Sequence, residues 1–190
     1  MEYDQLYDSI DDVEYGKTHI VYGRGKGKTT STVGTVVRAS HYGLNIKYVQ
    51  FMKKSGTGES EFLKEVNNVD YVCHDYDSLV HPEKGMTEEQ MEKAKKSFYE
   101  IQEINKDYDF LVCDEILNLP IFTLNNEKGF RIDYKDIEKI IDNKRDSLEM
   151  ILTGMYAPES LIKKADYVSE IKKVKHPYEE GLVARPGVEF

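Results

Sequence analysis

GRGKGKTT, residues 23–30, decides how this chain folds. It follows a β-rich run, Thr18–Tyr22 (THIVY), and opens a segment in which Val33, Val36, Val37 and Ala39 fall at helical spacing. A strand, a glycine-rich turn and a helix in that order form a phosphate loop. Backbone N–H groups at a helix start are unpaired and partly positive, glycines let an anion come close, and a following Lys reaches its oxygens. The usual pattern is G-x-x-x-x-G-K-[ST]. Counting back from Gly27-Lys28-Thr29, its first glycine belongs at position 22, where Tyr22 stands; Gly23 and Gly25 are present instead. Taken alone, such a loop is also readable as a Gly/Lys turn capping a helix. The candidate anion-binding residues are Gly23, Arg24, Gly25, Lys26, Gly27, Lys28, Thr29 and Thr30, with Lys26 and Lys28 as the charges and the Thr29 hydroxyl as a ligand for Mg²⁺.

A second signal lies further along. Asp109–Glu115 (DFLVCDE) is an apolar strand ending in Asp114 and Glu115, the placement that sets a carboxylate beside Mg²⁺ in phosphate-loop proteins. Between and beyond these motifs, strands alternate with helices. Strands are expected at 46–51, 69–73, 148–153 and 167–171; helices at 28–42, 61–66, from the Thr87-Glu-Glu-Gln90 capping box onward, from Asp133, and over 158–165. Residues 172–190 read as irregular. The alternation predicts an α/β fold, phosphate-loop NTPase-like and RecA-like, with a mostly parallel sheet covered by helices on both faces.

With 190 residues, the expected organisation is an acidic leader, 1–17, and one domain, 18–190. Tyr3, Leu6, Tyr7, Ile10 and Val13 lie on one helical face, so the leader reads as a short amphipathic helix. Net charge is −9, which argues against nucleic acid and anionic membrane surfaces as partners. No apolar run reaches transmembrane length and no signal segment is evident. The two cysteines, Cys73 and Cys113, sit in apolar runs and read as buried thiols. A cytoplasmic setting is expected.

The stretches GRGKGKTTSTVGTVVRASHYG, VQFMK, the strand-end DE, and LTGMYAPESLIKKADYVSEIKKVKHPYEEGLVARPGVEF together resemble the phosphate-loop type of ATP:corrinoid adenosyltransferase, in order and with similar spacing from Thr18 to Phe190. The resemblance implies that ATP and a corrinoid, cobalamin or a precursor, are the substrates. Cobalt(I) attacks the ribose 5′ carbon and tripolyphosphate leaves, with the nucleotide lying in the loop in a reversed sense. It further implies Mg²⁺ on Thr29, Asp114 and Glu115, ATP contacts from Arg38 and Gln50, and corrinoid contacts from Phe51, Tyr76 and Leu79. A homodimer and a flavoprotein reductant come with it. Read by themselves, Arg38 is equally a surface helix charge and Phe51 a core residue. His176 reads as a turn residue before Pro177.

The departures gather at the corrinoid side. The chain has no Trp, although well-known family members carry one in an aromatic pair that wedges under the corrin ring. Met155 follows Thr153-Gly154 where Arg is frequent, and Val183-Ala184-Arg185 replaces Lys-Ala-Gln. Two other readings therefore stand beside the transferase: an ATP hydrolase or kinase with Glu115 ordering water, and a non-catalytic protein that binds ATP or corrinoid.

Overall fold

The computed structural model describes residues 14–76, 80, 85–102, 107–124 and 129–190. The expected leader helix, Leu79, and most of the loop at 125–129 lie outside the described residues.

Six strands form one sheet, all parallel: β1 (Thr18–Tyr22), β2 (Ile46–Gln50), β3 (Val69–Cys73), β4 (Phe110–Asp114), β5 (Glu149–Gly154) and β6 (Tyr167–Glu170). Their order across the sheet is β3-β2-β4-β5-β1-β6. This is the phosphate-loop NTPase-like α/β architecture expected from the alternation of elements. Successive side chains on a strand point to opposite faces. In β4, Leu111 and Cys113 enter one core and Phe110 and Val112 the other. The first core takes Ala94, Phe98 and Ile101 from α3 (Glu88–Gln102) and Ile137 and Ile141 from α5 (Tyr134–Asn143). The second takes Val36 from α1 (Lys28–His41) and Leu63 from α2 (Gly58–Glu65). Both faces are thus covered, which explains why the central strands read as nearly unbroken apolar runs.

Local chemistry sets the helix ends. Thr87 and Gln90 bond reciprocally as a capping box, and Asp133 and Asp136 do the same before α5. Two elements differ from expectation. The helix begun by Pro158 is short, α6 (Glu159–Ile162), because the chain has to straighten into β6. After β4, a 3-10 turn (Ile116–Asn118) runs into α4 (Leu119–Thr123), with Pro120 in its first turn where a missing N–H costs nothing. The start of the sheet is tied down by Glu149, whose Oε2 accepts the N–H groups of Gly16 and Lys17 at 2.9 Å each. No helix among the described residues is long and apolar enough to cross a membrane.

Candidate functional site

The carboxyl ends of β1, β2, β4 and β5 meet on one side of the sheet, where open parallel sheets hold their ligands. The 23–30 loop leaves β1 there. Gly23 N–H donates to Gly154 O at 3.0 Å, and Gly25 N–H donates to Ile171 O at 2.9 Å. Its glycine spacing has a steric cause. A Cβ at position 23 would stand 2.4 Å from Ile171 O, and one at 25 would stand 2.7 Å from Ile171 Cγ2 and 2.8 Å from Lys172 O. The segment leaving β6 crosses so close over the loop that only glycines fit beneath it. Gly27, at φ 122°, then turns the chain into α1, a conformation side chains resist. Lys28 Nζ rests on Gly25 O at 3.2 Å, folded back over the loop it belongs to.

Asp114, fully buried at the end of β4, gathers three donors. Thr29 Oγ1 donates to Oδ2 at 3.0 Å, Gln50 Nε2 to Oδ2 at 3.1 Å, and Thr153 Oγ1 to Oδ1 at 2.7 Å. An ionised carboxylate only accepts, so Gln50 must turn its NH₂ toward Asp114 and its carbonyl away. That carbonyl accepts the Tyr71 hydroxyl at 2.6 Å. A chain Tyr71–Gln50–Asp114–Thr29 therefore runs from β3 to the first turn of α1.

Glu115 follows with φ 69°, a left-handed conformation that turns the backbone sharply at the strand end. Its N–H donates to Thr153 Oγ1 at 2.8 Å, and its carboxylate accepts from Asn118 Nδ2. Burial, and Asp114 alongside, push the Glu115 carboxyl above the usual range; Lys53 and Lys28 oppose that. Asn118 Oδ1 accepts from Met155 N–H at 2.7 Å, so the turn after β4 is stitched to the end of β5. Gly154 permits this contact, since a Cβ there would stand 2.6 Å from Leu117 Cβ.

Around these residues opens a cavity of about 420 Å³, within the size range of small-molecule sites. Lys26, Lys28 and Thr29 line it from the loop, and Lys53 from the turn after β2. Glu59 at the start of α2, Glu115, and Gly187–Phe190 complete it. Among the described residues no three His, Cys, Asp or Glu side chains cluster as a protein-only metal cage. Mg²⁺ needs none: it is held through one or two carboxylates, water and the phosphates of its substrate. Thr29, Asp114 and Glu115 offer only hard oxygens beside a cavity lined by three lysines, and so fit that ion.

Residues 25–30 of the loop, Asp114 and Glu115 are thus brought together. Other expected residues are not. Gln50, like Asp114, is fully buried and does not line the cavity; unlike Asp114 it has no bond to the loop and reaches it only through Asp114. Arg24 is exposed, and Gly23 is buried beneath the crossing segment. Arg38 lies near the far end of α1, bonded to Thr35 Oγ1 and beside a separate hollow with Tyr15, His19 and Tyr42. Phe51 and Tyr76, expected to face a corrinoid, are core residues with 0% and 1% exposure, in the same cluster as Ala94, Phe98 and Ile101 of α3. Leu79 is outside the described residues. His176 is a turn residue: its Nδ1 accepts Tyr178 N–H at 3.2 Å and caps a 3-10 turn, Pro177–Glu180. Sequence reasoning missed Lys53, Tyr71, Thr153 and Gly187–Phe190. Lys53 had a signal, a basic pair directly after a strand end; the others depend on which strands and tails become neighbours.

Residues 14–190 match the family model described as ATP:corrinoid adenosyltransferase BtuR/CobO/CobP. A corrinoid adenosyltransferase from Sinorhizobium sp. is 30% identical over 190 residues, covering 93% of this chain and 81% of that protein. One from Pseudomonas aeruginosa is 29% identical, covering 93% and 85%. The corrinoid adenosyltransferase CobA of Salmonella typhimurium is 26% identical, covering 93% and 87%.

Proposed function

The chain belongs to the ATP:corrinoid adenosyltransferase family, and from that premise we propose that it transfers the 5′-deoxyadenosyl group of ATP to the cobalt(I) of a corrinoid and releases tripolyphosphate. Cobalt donates an electron pair to C5′, the Co–C bond forms, the C5′–O bond breaks, and its electron pair leaves with the triphosphate. Cobalt is formally oxidised by two electrons. The nucleophile belongs to the substrate, so the protein needs no Ser, Cys or His nucleophile. The observation that carries the reading is the joining of the glycine-rich loop to buried Asp114 through Thr29, which lines a cavity together with three lysines.

The roles follow from charge. Negative charge builds on the bridging oxygen and the triphosphate as the C5′–O bond breaks, and fixed donors aimed there lower the barrier. Lys26, Lys28 and the amides of residues 26–30 are those donors. Mg²⁺, when bound, shares the same task, held by Thr29 and Glu115 with Asp114 accepting from Thr29 behind them. The walls of the cavity hold C5′ for in-line approach, the term that converts an encounter into a reaction. Residues 18–190 act as one catalytic domain. A homodimer, a flavoprotein electron donor and a cytoplasmic setting belong to this reading through the resemblance of the chain to its family.

Glu115 at the cavity wall also supports a second reading, a hydrolase in which it orders water against phosphorus. One anaerobic incubation separates them. The protein is mixed with ATP, Mg²⁺ and a chemically reduced cobalt(I) corrinoid, absorbance is followed, and the phosphate product is identified. A light-sensitive Co–C species with tripolyphosphate is expected. ADP and phosphate without a Co–C species would transfer the reading to the hydrolase, and ATP binding without turnover to a binding protein.

A further inference from the structure

The segment Arg185–Phe190 is folded into a hook against the phosphate loop. Gly187, at φ 73°, turns the chain back, and its N–H donates to Phe190 O. Glu189 N–H donates to Arg185 O at 3.0 Å. The Glu189 carboxylate is gripped by its own hook: Arg185 Nη2 reaches Oε1 at 3.0 Å, Arg185 Nε reaches Oε2 at 3.1 Å, and Arg185 N–H reaches Oε2 at 3.0 Å. Those bonds hold the carboxyl down at about 2, so it stays ionised across the working pH range. One residue of the loop joins this arrangement. Lys26 Nζ donates to Glu189 Oε1 at 3.2 Å and to Val188 O at 3.0 Å.

Resting on the nucleotide reading of the cavity, we infer that Glu189 is a resident anion of the ATP site: it holds Lys26 in a pair that the triphosphate must break, so that nucleotide entry releases the hook. Three facts lead there. Lys26 has three donors, and two of them already point into the hook. A phosphate oxygen taking Lys26 would lie beside a carboxylate that cannot shed its charge, and like charges repel. The hook lines the same cavity as Lys28 and Thr29, so the exchange happens within the site. Lys28 lies near Glu115 but makes no hydrogen bond to a carboxylate among the described residues; its ammonium rests on a loop carbonyl that an anion readily outbids.

The test is calorimetric titration of the full chain with inorganic tripolyphosphate and with ATP, each with Mg²⁺, for the wild type, Glu189→Gln, Lys26→Ala and the double variant. Glu189→Gln is expected to tighten binding about two- to fivefold at low salt, the range of an exposed ion pair. The gain should shrink as ionic strength rises and vanish in the Lys26→Ala background. Hydrogen exchange supplies a measurement without mutation: amides of Val188–Phe190 should exchange faster when wild-type protein is saturated. Unchanged or weaker binding by Glu189→Gln, or slower exchange in the hook on saturation, overturns the inference. Binding that ignores Glu189 overturns the hook alone; a wild type and a Glu189→Gln variant that both fail to bind either ligand overturn the reading of the site as well.

Discussion

At the scale of single residues, the site depends on a carboxylate whose surroundings are filled by donors. Asp114 has no solvent exposure, and three side chains point hydrogens at it. Tyr71 stands one step behind, fixing which end of the Gln50 amide faces Asp114. Replacing Tyr71 by Phe frees that amide to turn. The Mg²⁺ concentration for half-maximal rate should then rise about tenfold, the usual effect of losing a supporting partner, while the rate at saturating Mg²⁺ changes little. A Mg²⁺ titration of initial rates checks this. Asp114→Asn presents an NH₂ to groups that are already donors, so it should lose the Thr29 bond and lower MgATP affinity about 10- to 100-fold in a binding assay. Lys28, Thr29 and Asp114 were legible because motif chemistry is local. Tyr71 and Thr153 were not. Tyr71 pairs with Tyr48 and reaches Gln50 diagonally across a parallel register, and no local pattern announces a register.

Among the elements, the contact between the loop and the segment leaving β6 is the most demanding. Gly23→Ala and Gly25→Ala should each lower unfolding free energy by about 1–3 kcal/mol and weaken ATP binding, as measured by urea denaturation and titration. Adding Ile171→Ala should not rescue Gly23→Ala, because its obstacle is a backbone oxygen. The Glu149 anchor is a second such joint. Burial alone would raise its carboxyl, but the His19 bond and the N–H groups of Lys17 and Gly16 outweigh burial and hold it below 4.5. A carboxyl depressed by folding adds stability above its unfolded value and loses it as pH falls through the folded one. Thermal stability should therefore fall with pH from about 4.5 downward, and Glu149→Gln should flatten that part of the profile. Helix starts were legible wherever a cap marked them, as at Thr87 and Asp133. The end of α6 was not, because nothing after Pro158 marks a stop. The turn into α4 was not, because Pro120 inside an apolar run reads as a breaker.

For the whole molecule, the fold class was legible from the alternation of elements, but the order of strands was not. β1 lies between β5 and β6, not beside β2, and that choice rests on contacts across more than a hundred residues. The burial of Phe51 and Tyr76 was left open by the sequence for a related reason: an aromatic residue following a strand reads the same whether it faces solvent or a core. Charge is balanced locally as well as globally. Lys26, Lys28 and Lys53 face Glu59, Glu115 and Glu189 in the cavity, within a chain of net charge −9. ATP therefore finds little net attraction without its cation. Chelating Mg²⁺ should weaken ATP binding by on the order of tenfold, more steeply at low salt, in the same titration.

The crossing of Ile171 and Lys172 over Gly23 and Gly25 also has a consequence for how the protein is made. A ribosome delivers the phosphate loop before the residues that fasten it, which follow after about 140 further residues have been added. β1 likewise waits for β5 and β6, its partners on both sides. Non-local pairings of this kind form slowly. Until the segment around Ile171 and Lys172 has emerged, the growing chain has nothing to fasten over Gly23 and Gly25.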